Sequence, residues 1–329
     1  MAILFAAGEQ EAFTAGTIAG TDTGNPTDAN FQTNSLRLQA GQTLTHNLAS
    51  SQTELWIHCR YAFETDTAVG DDAIITIEDS GTGDVFAQLD SLDSDLRMQY
   101  FSGAGFTTIS TSGGLSNDTN YTIDIHILLH DTTGLIEWFL DGVLQGTFVG
   151  DTIQTATATT IDQVIWRTYV HSGGSTQEVN YTEFLITNSE ATTGWRVATL
   201  RPTADGNDTS WTGDFNDIDD VGTNDDANFI TTDTTTNVEN FVMGDLSATA
   251  QNFDIMAVIV NHRTRRGATG IQQVEAHVRV NGTNYFGTTI DPGTAFVPLQ
   301  EIWNNSPDTA SAWTASEVNA IQAGVRGIT

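Results

Sequence analysis

The chain has 329 residues, 42 of them acidic and 11 basic, for a formal net charge of −31. All eleven basic residues are Arg and there is no Lys, a balance that excludes binding to a phosphate backbone or attraction to an anionic membrane surface. A composition 39% hydrophobic and 16% charged excludes a disordered chain, and the length admits two domains with separate cores. The acidity by itself reads as solubility in a saline setting.

Residues 1–30 pair an apolar tip, Ile3, Leu4 and Phe5, with Gly/Thr/Asp-rich sequence. They are expected to form an N-terminal arm that docks on a neighbouring copy, or a first edge strand. The opening run MAILF lacks the basic residues of a secretory signal, so the expectation is a chain made in a host cytoplasm without a signal peptide. No apolar run approaches the ~18 residues of a membrane span, and membrane insertion is not expected.

From Ser35 onward strand signals recur, separated by turn chemistry such as Ser80-Gly81-Thr82-Gly83 and Gly103-Ala104-Gly105. Cys59 alternates within the strand Leu55–Tyr61; as the single cysteine it is read as a small buried hydrophobe. The clearest stretch is Tyr121–Val149. Ile123, Ile125 and Ile127 alternate with Asp124, His126 and Leu128, and Asp141-Gly142 sits between apolar runs as a tight hairpin turn does. Strands continue over Thr160–Val170 and Val179–Thr187. So many strands without a helical period predict an all-β sandwich. Its core is expected to take Trp56, Ile75, Phe86, Ile123, Ile125, Ile136, Trp138, Ile165, Phe184 and Ile186.

The strand, turn, Trp138-bearing strand and Asp141-Gly142 hairpin ending in Gly150 resemble the core of the concanavalin A-like (laminin-G-like) lectin/glucanase superfamily. The resemblance covers about residues 31–190. It implies a jelly-roll sandwich of two antiparallel sheets, often carbohydrate-binding and sometimes a glycosidase.

The polar stretch Asn188–Thr193 breaks the pattern and marks a domain boundary, with 191–329 expected as a second β-sandwich-like module. GWRVATLRPTADGNDTSWTG (194–213), VENFVMGDL (238–246), AVIVNHRTRRG (257–267), VRVNGTNYFGTTI (278–290) and AWTASEVNAIQAGVR (312–326) resemble a C-terminal module of tailed-bacteriophage structural proteins. Asn281-Gly282 reads as another hairpin turn. Thr314-Ala315-Ser316-Glu317 resembles a capping box, and a short terminal helix carrying Val318, Ile321 and Val325 is expected to cover a sheet edge.

Several groupings are candidates for chemistry. Glycosidases on this fold carry E-x-D-x-x-E or E-x-D-x-E on one strand; Glu64-Thr65-Asp66 and Glu178–Glu183 come nearest and neither fits. His58, His126 and His130 are either clustered metal ligands or unrelated sheet histidines. Asp214, Asn216, Asp217 and Asp219 place oxygen ligands as a Ca²⁺ loop does, the alternative being a solvated acidic loop; Asp71, Asp72, Asp79 and Asp84 are a weaker case. Arg263, Arg265 and Arg266 form the one basic cluster, either docking on the acidic run of another copy or neutralised within their own domain. Tyr100, Trp195 and Trp211 are candidate sugar-stacking aromatics.

Together these readings predict a non-enzymatic protein on the outer surface of a tailed-phage virion, a head decoration, fibre or tail-associated fibre. Its expected partners are other virion proteins, copies of itself and a cell-surface glycan. The alternative is a carbohydrate-active enzyme or a free secreted lectin of the same fold.

Overall fold

The computed structural model describes residues 2–24, 26–39, 41–65, 71–92, 94–168, 178–219, 221 and 226–329, with the backbone alone at 64, 65 and 71. As the alternation predicts, the protein is almost wholly β. It divides into two compact units: Met1–Asp28 with Gln32–Val197, and Ala29–Phe31 with Ala198–Thr329. No helix among the described residues is long and apolar enough to cross a membrane.

The first unit runs through β1 (Ala2–Ala7), β2 (Ala15–Gly16), β3 (Gly20–Asp22), β4 (Ser35–Gln39), β5 (Thr43–Gln52), β6 (Glu54–Thr65), β7 (Asp71–Asp79) and β8 (Asp84–Leu92). It continues with β9 (Asp95–Phe101), β10 (Phe106–Thr111), β11 (Tyr121–Leu128), β12 (Gly134–Leu140), β13 (Val143–Gly150), β14 (Ile161–Arg167) and β15 (Glu178–Asn188). One sheet has the order β13-β12-β11-β6-β15-β4-β3, with β1 also paired to β15; the other has the order β10-β9-β8-β7-β14-β5-β2. All pairs are antiparallel, which makes a jelly-roll-like sandwich. The N-terminal residues Ala2–Ala7 therefore lie in register with Phe184–Asn188.

Strand alternation sends every second side chain into the space between the sheets. Ile57, Cys59 and Tyr61 of β6 and Ile123, Ile125 and Ile127 of β11 meet Ile75, Ile77, Leu89, Met98, Val164 and Trp166 from the facing sheet. Burial pushes the Cys59 thiol well above its ordinary range, so it is inert. Asp141 and Gly142 both take positive φ, 51° and 75°, as the hairpin turn requires.

Two expected core residues lie elsewhere. Ile57 and Trp166 take the inward positions of their strands, which turns the adjacent Trp56 and Ile165 to the outer faces. Trp56 is buried there by stacking on His126, with ring centroids 4.3 Å apart.

The second unit contains β16 (Pro202–Thr209), β17 (Val238–Met243), β18 (Val258–Thr264), β19 (Gln273–Val280), β20 (Thr283–Phe286), β21 (Val297–Trp303), the single helical turn α1 (Ala315–Val318) and β22 (Gln322–Ile328). Its main sheet has the order β16-β17-β22-β19-β20, and β18 pairs with β21 in a separate ribbon. Val278, Val280, Trp313, Val318 and Ile321 form its core with Phe31 and Leu246.

The expected terminal helix is thus one turn long. Its capping box forms, with Thr314 and Glu317 side chains each bonded to the other's backbone N–H. The chain then leaves for the middle of the sheet, where Gly324 approaches the Glu239 carbonyl too closely for any Cβ.

Candidate functional site

A sandwich offers two outward faces, and in the first unit they differ. The face of the β6/β11/β15 sheet is crossed by the segment 188–197. Thr192 Oγ1 donates to Asp124 Oδ1 at 2.7 Å, and Asp124 Oδ1 also meets His58 Nδ1 at 2.8 Å. His58, Asp124 and Thr192 are all fully buried. The trio is closed to any substrate, and the Thr192 hydroxyl is committed to the carboxylate rather than to the imidazole. Further along, Arg196 grips Glu183 with two bonds of 2.7 Å, and Asp28 and Arg60 complete a balanced four-charge cluster.

The face of the other sheet is built differently. Register sets Thr45, Ile165, Thr76, Gln88, Gln99 and Thr108 in one line across β5, β14, β7, β8, β9 and β10. At the usual strand spacing that line is roughly 24 Å long. Asn47, Gln163 and Glu78 form a parallel row on one side, and Arg167, Asp90 and Arg97 flank it on the other.

Arg97 Nη2 donates to Asp90 Oδ2 at 2.8 Å. The Gln99 amide fits between them, its oxygen 3.1 Å from Arg97 Nε and its nitrogen 2.7 Å from Asp90 Oδ2. Burial lowers the Arg167 pKa, with the charge of Glu78 opposing the shift. Burial raises the Glu78 carboxyl; Arg167 opposes this and Asp162 adds to it.

Thr76 is 2% exposed, yet its hydroxyl has no hydrogen-bond partner among the described residues, and neither has Arg167 Nε. Buried polar groups are nearly always paired. Both atoms are buried, so they belong to the packed layer of this face and not to its open surface.

The residues singled out in the sequence do not gather there. Tyr100 stacks on Phe148 with centroids 4.0 Å apart. Trp195 bonds through its backbone to Thr192, and Trp211 Nε1 donates to the Asn237 carbonyl at 3.1 Å. His58 binds Asp124, His126 lies between Glu54 and Glu137, and His130 sits in an exposed turn. The three histidines do not cluster, because His58 faces Asp124 across β6 and β11 whereas His126 faces Trp56.

Asp214 and Asp217 spend their oxygens on a capping box around the 3₁₀ turn Phe215–Asp217. Among the described residues no three acidic, His or Cys side chains converge as a metal site requires, Asp219 included. Asp79 holds Thr82, and Asp84 holds the backbone of Thr157 and Ala158. The Asp71 side chain, Asp66, Asp220 and Asp225 lie outside the described residues.

Arg263 forms a bidentate pair with Asp226 of its own unit, at 2.7 and 2.9 Å. Arg265 lies over the rings of Phe229 and Phe296, and Arg266 pairs with Asp291 at 3.0 Å. Glu183, the best-placed carboxylate of the E-V-N-Y-T-E stretch, is consumed by Arg196. The Glu64 side chain is outside the described residues.

Sequence reasoning missed the line from Thr45 to Thr108. Its signal was present as the polar half of each alternation, Thr76/Glu78, Gln88/Asp90, Arg97/Gln99 and Gln163/Arg167. The apolar halves were used to find the core, and the polar halves were not lined up because register is not written locally.

No family model matches the chain, and no curated protein does. Among solved structures it is similar to "Cellulose induced protein, Cip1", at 16% identity and TM-score 0.39 over 54% of this chain and 88% of that one. The alginate lyase Aly36B has 12% identity and TM-score 0.38 over 58% and 99%. The carbohydrate esterase vb_24B_21 from Shiga toxin-encoding bacteriophage phi24B has 12% identity and TM-score 0.36 over 56% and 90%. At such identities and TM-scores the likeness assigns this chain no substrate and no reaction. One expectation is nevertheless corrected. The absence of an E-x-D-x-x-E strand was read as the absence of catalysis, whereas the solved structures similar to this chain include the two alginate lyases Aly36B and A1-II', a carbohydrate esterase and a sialidase. The missing pattern excludes one kind of active site and not enzyme activity.

Proposed function

We propose that the first unit is a carbohydrate-active jelly roll that holds a polysaccharide along the line from Thr45 to Thr108. The observation that carries this reading is the line of hydroxyls and amides, Thr45, Thr76, Gln88, Gln99 and Thr108, that register sets across the strands on the outward side of this sheet. Sugar hydroxyls donate and accept at short range, and a row of Thr, Gln and Asn side chains answers both roles. Glu78 is the carboxylate tested for catalysis, because it stands beside this line, across from Gln163.

The test uses the full chain in affinity electrophoresis through gels containing polysaccharides, with reducing-end release followed on the same polymers. Gln88→Ala and Thr108→Ala are expected to weaken retardation, and Glu78→Gln to abolish release while retaining binding. Thr147→Ala, on the opposite sheet, is the control. Retardation that none of the face substitutions changes would place the glycan elsewhere.

We propose a virion surface as the setting, on the residue matches across 194–326, where many copies would multiply a weak contact. Antibody labelling of intact particles tests it; unlabelled particles would remove that setting and leave the glycan site standing.

A further inference from the structure

We propose that this protein pairs with a second copy of itself through β13, the strand at one end of the first unit's larger sheet. β13 bonds to β12 on one side only, so the N–H and C=O groups of its other side have no ladder partner among the described residues. Past the bulge at Gln145, residues 146–150 pair without a break with 134–138, which leaves a regular stretch open. The side chains of this strand add apolar surface: Val143, Leu144 and Val149 are 62%, 49% and 69% exposed. Apolar residues scattered singly over a surface are ordinary, whereas three on one open strand mark a contact.

Charge selects the partner. With 42 acidic residues against 11 basic, two copies repel wherever their acidic surfaces meet. No charged residue occurs in 142–150, nor in 101–117, which carries β10, the edge strand of the other sheet. The two edges lie side by side, Ser110 of β10 against Gly146 of β13, so both strands bordering this side of the sandwich are uncharged.

Edge strands are ordinarily guarded by shortness, by cover or by charge. The others among the described residues follow that rule. β2, β3 and β20 have two, three and four residues, and β1 is mostly buried. β16, β18 and β21 carry Asp205, Arg263 and Glu301. β13, with eight residues, has none of these guards. A two-fold axis presents the same strand in the opposite direction, as antiparallel pairing needs, and sets one uncharged edge against another.

The experiment is sedimentation velocity of the full chain at low and at high salt, with Val149→Glu and Val143→Glu as separate variants. Urea unfolding, at a concentration where the parent is monomeric, shows that each variant folds. The expected result is a dimer that salt tightens, because salt screens the repulsion between two copies of −31 each. Each substitution is expected to raise the dissociation constant about tenfold or more. A dimer that salt loosens would be held by ion pairs and would overturn the proposal. A monomer at every concentration, or a dimer that both substitutions leave intact, would overturn it as well.

Discussion

Glu183 and Arg196 form a bidentate pair, Nε to Oε2 and Nη2 to Oε1 both 2.7 Å, that ties the segment after β15 back onto that strand. The Glu183 side chain is fully buried and its φ is 54°, at a bulge that breaks register with β6 between Thr182 and Leu185. The bulge brings the carboxylate to the outer side, where Arg60 and Arg196 meet it. Burial works against the Arg196 charge, and the bonds and charges of Glu183 and Asp28 outweigh it, leaving its pKa raised. Removing one partner strands a buried charge. Glu183→Gln is therefore expected to lower the unfolding free energy of the first unit by about 3 to 5 kcal/mol. Urea unfolding measures this, and a loss under about 1 kcal/mol would mean the cluster is screened as surface pairs are.

Thr76→Val should stabilise the first unit. The hydroxyl is buried without a partner among the described residues, so replacing it with a methyl group removes a desolvation cost of about 1 kcal/mol or more. The variant is expected to unfold at the same urea concentration as the parent or a higher one. Loss of stability would show that the hydroxyl has a structural partner.

Acid should weaken both units. Burial holds His46, His262 and His277 at about 4, whereas an unfolded imidazole titrates near 6.5. Above about 6.5 both states are neutral and the full stability is present. Between about 6.5 and 4 the unfolded state takes protons that the folded state refuses, so stability falls with pH, and it levels off below 4. Each group accounts for up to about 3 kcal/mol. Both nitrogens of His262 are buried without partners among the described residues, so His262→Leu should reduce this slope without loss at neutral pH. Unfolding curves at several pH values give the comparison, and an unchanged slope would show that His262 charges freely in the fold.

Gly146 shows where packing selects glycine. A Cβ there would collide with Ser110 Oγ, which accepts from Trp138 Nε1 at 2.8 Å. Gly146→Ala is expected to cost about 1 to 3 kcal/mol. Adding Ser110→Gly should recover part of that loss, though not all, because Trp138 Nε1 then lacks its acceptor. If the double variant is as unstable as the sum of the two singles, the collision is not the cause.

Much of the fold was legible because its signals are local. Asp141-Gly142 and Asn281-Gly282 take the positive φ angles their turns demand, and the Thr314/Glu317 capping box forms as read. The helix expected beyond that box was not legible correctly. Val318 and Ile321 do face the core, but from Gln322 the chain belongs to a strand whose place depends on Glu239 and Glu275, which lie far away in sequence. Trp56 and Ile165 were misplaced for a related reason: an apolar side chain on the outer face still reads as core until its strand partners are known.

What the amino-acid sequence determined by itself was the two-residue alternation, the turns that punctuate it and the charge that repels polyanions, because each follows from backbone geometry or from composition. What only the tertiary structure decided was adjacency. Thr76, Gln88 and Gln99 become neighbours, and Glu183 becomes a clamp rather than a catalyst, because strand order and register emerge from long-range packing that no local stretch of the chain encodes.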